Sequence, residues 1–490
     1  MEQSRIFASP YRQLAFPRWV LVTAAAYTAL TCSVRALAQC EITAVWASDG
    51  AQDHYFGRSV ATSDDLSRLI IGSPGHDVYR GAAYIFERKG STWLQDTVLT
   101  APDGPTPFDQ FGNAVGISAD GQTIVVCEKY DSNEGGGSAG AAHVLVFDGR
   151  EWVAAAKLTA SDGEPQLWLG RELALMPDVS TIVLAAPGDG HDAGGSPWGA
   201  AYVYDRPKGG WADMTETVKL NASDAEQGNK FGTDVAISAD GNVIVVGDQF
   251  NDEGGSKAGA VYIFLPTPDR SGWVEHQKFI ADDATAFWRF GFALAVSPSA
   301  DTILIASITD YEVADNAGSA YIFVRQGEFW GQQAKVVGSG VGVGDYFGVS
   351  VDLSDDGDTA LIGTSRGEEA YVFTRSGAVW TEQAILTTPH DTLMRFGTAV
   401  ALTGDATGGL IGAIRTQVNG MEWVGSAHVF DLATPCLGDI DGDGSVGVPD
   451  LLILLANWGP CADCDDCPGD LNDDCTVGVA DLLILLSNWG

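Results

Sequence analysis

The chain has 490 residues and a formal net charge of -38, from 65 acidic and 27 basic side chains. An excess of negative charge repels nucleic acid and anionic membranes, so we expect neither as a partner. The 45% hydrophobic fraction is ordinary for a globular protein, whereas 60 glycines predict many tight turns.

The first 38 residues have the pattern of a secretory signal peptide. Arg5, Arg12 and Arg18 precede an apolar run at residues 19–30, and Ala36-Leu37-Ala38 is a small-residue cleavage site. We predict export and cleavage after Ala38, with an uncleaved signal anchor as the alternative. No later apolar run is long enough to span a membrane. We therefore expect a bacterial protein that is secreted or attached to the cell surface.

A repeat of roughly fifty to sixty residues fills the chain from residue 42 to residue 432. Its anchor is a large apolar residue followed by glycine, at Phe56, Phe111, Leu169, Phe231, Phe290, Phe347 and Phe396. In the fourth copy, FGTDVAIS alternates like a half-buried strand, SADG is a hairpin turn, and NVIVVG, GAVYIF and a Trp-led segment are further strands. Four strands in each of seven copies predict a seven-bladed β-propeller.

The ends of the repeat array predict how the ring closes. The seventh copy stops after its third strand, at residues 425–432, and residues 42–49 form an isolated fourth strand before the first copy. We predict that this N-terminal strand completes the last blade and covers its edge. Cys40 and Cys436 would then lie close together, and we predict a disulfide between them. Cys127 is predicted to be a buried free thiol.

The anchors, the third strands of the GAAYVF type and the partial matches Ser73-Pro74 and Ala186-Pro187 resemble FG-GAP repeats, the units of the integrin alpha-chain propeller. The resemblance implies a propeller that binds partners on one face. Integrin-type blades carry calcium in a long acidic turn, but the turns SADGQT, SADGNV and SDDGDT are too short to encircle an ion. We therefore expect no integrin-type calcium, and we expect these aspartates to stabilise the hairpin turns.

Loops between second and third strands, together with loops between blades, should lie on one face of the propeller. Acidic residues and tryptophans collect there: Asp131, Glu134, Asp189, Asp192, Asp252, Glu253, Trp198 and Trp288. Aromatic plates among polar groups suit sugar rings or a calcium-bridged ligand. The alternative is a solvated rim whose tryptophans cap the core.

No catalytic arrangement is evident in the sequence. His143 and His428 occupy the position that tyrosine holds in other copies, so we assign them to packing. No nucleophile elbow, phosphate loop or zinc-protease motif occurs. We therefore expect a protein that is not an enzyme.

The last fifty or so residues contain one unit twice, at residues 438–459 and 469–490. Each copy places oxygen-bearing residues at the spacing of a calcium loop and continues into an apolar helix. The expected ligands are Asp439, Asp441, Asp443, Ser445 and Asp450, then Asp470, Asn472, Asp474, Thr476 and Asp481. The second site is expected to be weaker, because Cys475 stands where the turn favours glycine.

Tandem loop and helix units without entering helices resemble the type I dockerin module. The resemblance implies calcium-dependent attachment to a cohesin-like partner. Four cysteines cluster here, at Cys461, Cys464, Cys467 and Cys475. Their spacing suits a four-thiolate metal site or two disulfides, and export favours disulfides.

The expected fold is thus mainly β, with a signal peptide (1–38), a monomeric seven-bladed propeller closed by the N-terminal strand (39–435) and a small all-α calcium-binding module (436–490). We expect a recognition or adhesion protein whose propeller binds an extracellular glycan or protein. A secreted carbohydrate-active enzyme and a purely structural component are the alternatives.

Overall fold

A computed structural model describes residues 39–90, 92–190, 197–388, 394–417, 421, 423–435, 438, 440, 446–461, 467–472 and 475–487. All of these belong to one compact unit, residues 36–490. Outside the described residues lie the predicted signal peptide and Asp192, Cys436, Asp439, Asp441, Asp443, Ser445, Cys464 and Asp474. Within the described ranges, no helix has the length and apolar character that a membrane crossing requires.

Seven antiparallel sheets of four strands form the blades, and the first strand of the chain, β1 (Gln39–Val45), belongs to the last of them. Blade 1 contains β2 (Ser59–Thr62), β3 (Arg68–Ser73), a four-residue turn α1 (His76–Tyr79), β4 (Ala82–Lys89) and β5 (Thr92–Leu99). Blade 2 contains β6 (Phe111–Ile117), β7 (Thr123–Glu128), β8 (Ala141–Phe147) and β9 (Trp152–Thr159). Blade 3 contains β10 (Leu173–Leu175), β11 (Thr181–Ala186), β12 (Ala200–Asp205) and β14 (Val218–Leu220). The additional strand β13 (Met214–Thr215) pairs in parallel with β9 of blade 2.

The remaining blades follow the same order from the innermost to the outermost strand. Blade 4 contains β15 (Phe231–Ile237), β16 (Ile244–Asp248), β17 (Ala260–Pro266) and β18 (Trp273–Phe279). Blade 5 contains β19 (Phe290–Val296), β20 (Thr302–Ser307), β21 (Ser319–Gln326) and β22 (Phe329–Val336). Blade 6 contains β23 (Ser350–Leu353), β24 (Thr359–Gly363), β25 (Ala370–Ser376) and β26 (Val379–Leu386). Blade 7 contains β27 (Phe396–Leu402), β28 (Gly408–Ala413) and β29 (Ser426–Pro435), with β1 outermost.

The Phe-Gly anchor joins each blade to the one before it. The Phe231 ring is fully buried and meets Tyr262 of its own blade edge-on, with ring centroids 5.3 Å apart. Gly232 has φ +76°, and a Cβ atom there would lie 2.1 Å from the carbonyl oxygen of Ala200 in blade 3. Only glycine fits such a close backbone approach at positive φ. Phe231 also forms a parallel bridge with Gly199 of blade 3, and equivalent bridges recur at other blade junctions.

The N-terminal strand closes the ring, as predicted. β1 pairs antiparallel with β29, and the register places Val45 opposite Ala427. Glu41 Oε1 lies 3.0 Å from Nδ1 of His428, which is fully buried. The predicted partner of Cys40, Cys436, lies outside the described residues, so that disulfide stays a prediction.

The hairpin turns use their aspartates internally. Ser118 Oγ donates to Asp120 Oδ1 at 2.6 Å, and the backbone N–H of Gln122 donates to the same carboxylate at 2.9 Å. Ser238 and Asp240 repeat this arrangement in blade 4. Cys127 is a buried free thiol, and burial raises its pKa.

Two short helices follow the ring: α2 (Val448–Ala456) and α3 (Val479–Ser487). The strands β30 (Gly459–Pro460) and β31 (Thr476–Val477) pair antiparallel between them. A small apolar core consists of Val446, Leu454, Val477 and Leu485. A disulfide joins Cys461 to Cys467, and Cys475 is also disulfide-bonded.

Candidate ligand-binding face

One face of the propeller carries the loops between blades and the loops between second and third strands. These two loop sets are joined by hydrogen bonds at the point where the innermost strands begin. The backbone N–H of Lys230 donates to Asp248 Oδ1 at 2.8 Å, and the N–H of Arg415 donates to the Met394 oxygen at 2.8 Å. The loops that we predicted to share a face therefore do so.

Around the outside of this face, a lysine from the fourth strand of the blade neutralises acidic residues. Lys219 Nζ lies 2.7 Å from Asp162 Oδ2 and 2.6 Å from Asp189 Oδ1. Lys157 likewise lies 2.5 Å from Asp103 Oδ2 and 3.1 Å from Asp131 Oδ2. We call these clusters, with those of Lys278 and Lys335, the lysine networks.

The Lys335 network shows what holds such a cluster together. Lys335 Nζ lies 2.6 Å from Asp283, 2.7 Å from Asp310 and 2.5 Å from Glu312. Burial opposes protonation of this lysine, but its hydrogen bonds to the carboxylates outweigh burial and raise its pKa. The hydroxyl of Tyr321 donates to Asp283 at 2.8 Å. The same Tyr–Asp bond recurs in blades 1, 3 and 4.

These networks change the role of several residues that we predicted to contact ligand. Asp131 and Asp189 are buried and paired with lysine. Trp288 is 5% exposed, and Lys335 Nζ lies 4.5 Å from its ring centroid. We therefore assign Asp131, Asp189 and Trp288 to blade packing, because burial and pairing remove them from the surface.

The other predicted contacts remain exposed but do not form one site. Trp198 is 40% exposed, and Glu134 borders an open groove of about 640 Å³ between blades 2 and 3. Asp252 and Glu253 border a smaller cavity of about 330 Å³. Asp252 Oδ1 accepts the backbone N–H of Lys257 at 2.6 Å, and Glu253 pairs with Lys278.

A cavity of about 410 Å³ lies at the centre of the ring. The innermost strands of all seven blades line it. Its charged lining residues are Arg58, Arg171, Glu172, Asp234 and Arg395. Basic residues therefore reach the centre of a strongly acidic protein.

Further basic residues surround the entrance to this cavity, and many rest on aromatic rings. Lys230 Nζ lies 5.0 Å from the ring centroid of Trp168, and Arg415 Cζ lies 4.7 Å from that of Trp423. Attraction to an aromatic face holds a cation in place without neutralising it. We name the following set the cationic mouth: Arg58, Lys129, Arg171, Lys230, Arg366, Arg395 and Arg415.

The cations of the mouth lie close enough to affect one another. Burial lowers the pKa of Lys129 to about 8, and the positive charges of Arg171 and Arg58 contribute. Burial also lowers the pKa of Arg395, with contributions from Arg415 and Arg366. Among the described residues, Arg58 is the member of the mouth with a carboxylate at ion-pair distance, 3.8 Å from Glu172.

The cationic mouth was not predicted from the sequence, although a signal was present. The residue just before each anchor is basic or aromatic in most copies: Tyr55, Trp168, Lys230, Arg289, Tyr346 and Arg395. A search for acidic and aromatic residues in loops passes over this position. Alignment of the seven repeats shows that basic and aromatic residues recur at this position.

Two half-buried carboxylates in the inner strands act as clasps between blades. Asp234 accepts the N–H of the next residue at 2.8 Å and the N–H of Leu294 in blade 5 at 2.7 Å. Asp352 makes the same pair of bonds, reaching Leu402 in blade 7 at 2.8 Å. Burial raises the pKa of Asp352 to about 6 and that of Asp234 further. The repetition in two blades assigns this arrangement to structure.

Six segments of the chain match the model of the FG-GAP repeat: residues 41–86, 93–145, 152–204, 214–264, 273–323 and 330–379. The chain belongs to the FG-GAP repeat family. Most of these segments begin in the outermost strand of one blade and end in the third strand of the next. The fourth begins in β13, and the sixth ends at Val379, the first residue of β26. The FG-GAP unit is therefore offset from the blade by one strand, which is why an N-terminal strand is left to complete blade 7.

Integrin alpha-PS3 from Drosophila melanogaster is 34% identical to this FG-GAP protein over 161 residues. The match covers 29% of this chain and 13% of the integrin, so the chain spans a small part of that relative. A chain of the Kuenenia stuttgartiensis hydrazine synthase aligns over 75% of this chain and 94% of its own length. The TM-score of this alignment is 0.47, and the two sequences are 14% identical.

After the FG-GAP repeats, the last acidic residue of each C-terminal loop accepts hydrogen bonds from two backbone N–H groups. Asp450 is buried and accepts the N–H groups of Ile440 at 2.6 Å and Gly447 at 2.7 Å. Asp481 is buried and accepts the N–H of Leu471 at 2.8 Å and that of Gly478 at 2.7 Å. Each carboxylate therefore ties the start of its loop to the first turn of its helix.

The second loop contains a turn that an ordinary side chain disfavours. Asp470 Oδ2 accepts the N–H of Cys475 at 2.8 Å, and Cys475 has φ +63°. This is the left-handed conformation that glycine adopts most readily. Cys461 and Cys467 come close to Asp470, but their sulfur atoms are joined to each other and cannot bind a metal as thiolates.

Proposed function

We propose that this protein is an extracellular recognition protein. Its FG-GAP propeller binds a ligand on the face described above, and its C-terminal module attaches it to a partner. The observation that carries the proposal is the central cavity with its cationic mouth, where positive side chains gather in an acidic protein and, among the described residues, only Arg58 has a carboxylate at ion-pair distance. The partial similarity to an integrin alpha chain supports an extracellular binding role.

We propose two calcium sites in the module. The first would use Asp439, Asp441, Asp443, Ser445 and Asp450, and the second Asp470, Asn472, Asp474, Thr476 and Asp481. The donor set fits a hard cation, because it consists of carboxylate, amide, hydroxyl and carbonyl oxygens. The fixed carboxylates of Asp450 and Asp481 support the proposal, because backbone N–H groups hold both at the same place in their loops. Bound calcium would neutralise the loop and hold the helix start in place.

We further propose that the module docks on a cohesin-like protein. The helices expose Leu452, Leu455, Leu483 and Leu486, which makes an apolar contact surface available on each copy. Both copies present the same apolar positions, so the module offers two equivalent surfaces to one partner.

The experiment that tests this function is affinity capture with the chain that follows Ala38. The immobilised protein is exposed to secreted and surface components of its host, with calcium and with EGTA. Capture of one component through the propeller regardless of calcium, and of a second component only with calcium, is the expected result. A module deletion at residue 435 should abolish only the second. Absence of any capture would favour a purely structural component.

A carbohydrate-active enzyme is the second candidate. The raised pKa of Asp234 in the central cavity, next to Glu172, is the observation that favours it. Release of reducing ends from neutral or acidic polysaccharides by the intact protein, abolished by Asp234→Asn, would establish it. Because Asp234 also forms the clasp with Leu294, a loss of stability in this variant without turnover by the intact protein would assign Asp234 to structure.

A further inference from the structure

We propose that the cationic mouth binds an acidic saccharide, with carboxylate or sulfate groups facing the arginine and lysine side chains and sugar rings facing adjacent aromatic residues. The proposal rests on the recognition function proposed above and names the ligand class.

The distribution of charge is the first argument. The four lysines of the lysine networks, at the periphery of the face, are matched with acids, as Lys219 is with Asp162 and Asp189. The cationic mouth is different, because Arg58 is its member with an acid at ion-pair distance in the described part of the chain. The carboxylates of Glu172 and Asp234 act on Arg171, and that of Glu368 acts on Arg395, each without reaching ion-pair distance of that arginine. The cations of the mouth outnumber these carboxylates, so positive charge remains available to an anionic ligand.

The hydrogen-bonding capacity of the mouth is the second argument. Arg171 Nε is buried and has no hydrogen-bond partner among the described residues. Arg171, Arg58 and Arg395 all line the cavity. The guanidinium fork matches the geometry of carboxylate and sulfate oxygens better than an ammonium group does. The mouth is therefore suited to oxyanions.

The number and spread of the cations favour a ligand with several charges. The members of the mouth come from blades 1, 2, 3, 4, 6 and 7, so they surround the entrance. One acidic side chain of a protein could engage one sector of this ring. A saccharide with an acidic group on each sugar unit could engage several.

A line of aromatic rings that begins beside Arg415 of the mouth indicates a saccharide. The ring of Trp423, which carries Arg415, lies 6.0 Å from the ring of Tyr55. Tyr55 lies 6.2 Å from Tyr79, and Tyr79 is stacked at 6.2 Å on Phe108, whose side chain is 62% exposed. Aromatic faces bind the apolar faces of sugar rings, so this line offers successive positions to a chain whose acidic end lies in the mouth.

Binding of defined oligomers to the full chain tests the proposal. The probes are a tetrasaccharide of galacturonate, a chondroitin sulfate tetrasaccharide, neutral maltotetraose and a tetraglutamate peptide. Calorimetry at low and high salt measures each Kd. At least one acidic tetrasaccharide should bind more tightly than maltotetraose and tetraglutamate, and its affinity should fall with salt.

Variants locate the site. Arg395→Gln and Lys230→Gln should each weaken saccharide binding at least about tenfold, the loss expected for one charge-assisted contact. Arg150→Gln and Lys208→Gln remove the same charges from exposed hairpins between third and fourth strands and should leave Kd unchanged. Tyr79→Ala should weaken binding of the saccharide while far-ultraviolet circular dichroism stays unchanged.

Three outcomes would overturn the proposal. Tetraglutamate binding as tightly as the saccharides, with no effect of Tyr79→Ala, would assign the mouth to an acidic protein. Binding of no anion, or equal losses in the mouth variants and their controls, would exclude an anion site. Binding of a neutral glycan or a protein that is unaffected by the mouth variants would leave the recognition function intact and this inference wrong.

Discussion

The glycine of the Phe-Gly anchor gives the sharpest test of how the blades are joined. In Gly232→Ala, the new Cβ would meet the Ala200 oxygen at 2.1 Å and the Ala186 nitrogen at 3.2 Å, both backbone atoms of blade 3. A left-handed conformation costs an alanine about 1 kcal/mol, and forced separation of packed elements costs about 3 kcal/mol more. We therefore expect Gly232→Ala to lower the free energy of unfolding by about 4 kcal/mol.

Two further glycines separate the cost of the left-handed conformation from the cost of the steric clash between blades. Gly377 has φ +66° and no atom within 4 Å of the position that a Cβ would occupy, so Gly377→Ala should lose only the conformational part, about 1 kcal/mol. Gly272 has the same open space without a positive φ, so Gly272→Ala should change stability little. Urea unfolding followed by tryptophan fluorescence measures all three. Equal losses for Gly232→Ala and Gly377→Ala would refute the role of close blade contact.

Three other predictions concern closure, ionisation and metal. Deletion of residues 39–45 should expose the edge of β29 and produce oligomers on size-exclusion chromatography; a monomer of unchanged stability would contradict this. Burial raises the pKa of Asp248 from 3.8 to about 6, so the folded state binds a proton more tightly than the unfolded state. The free energy of unfolding should then fall by up to about 3 kcal/mol as the pH rises from about 4 to about 7, and Asp248→Asn should remove that part of the pH dependence in urea titrations. Removal of calcium by EGTA should reduce the circular dichroism of α2 and α3, and the signal should return when calcium is added back; unchanged helicity would show that metal and fold are not coupled.

The repeat itself was predictable from sequence because its causes are local. A buried phenylalanine or leucine followed by a glycine at positive φ recurs roughly every fifty to sixty residues. An unpaired strand at one end of the array must complete the blade that lacks a strand at the other. The strand β13 was not predicted, because its parallel pairing with β9 depends on where blade 3 lies relative to blade 2.

The site was less predictable, because residues that are distant in sequence determine which of its charges are paired and which are not. Asp189 looks like a surface acid in a loop, yet its partner Lys219 lies thirty residues later in the chain, on the outermost strand. The cationic mouth presents the converse problem. Most repeats contribute one or two of its basic residues, and only closure of the ring places them around one cavity.

The Phe-Gly anchor links the fold to the proposed site. The residue before it must end a loop and enter the innermost strand, and at Tyr55, Trp168 and Arg395 it does so with φ of +53°, +58° and +53°. A residue other than glycine is strained at positive φ, and proteins retain such strain where the side chain has a functional role. These side chains belong to the cationic mouth or support its cations. The motif that packs the blades therefore also presents side chains to the cavity entrance, and exchanging those residues should alter binding without altering the ring.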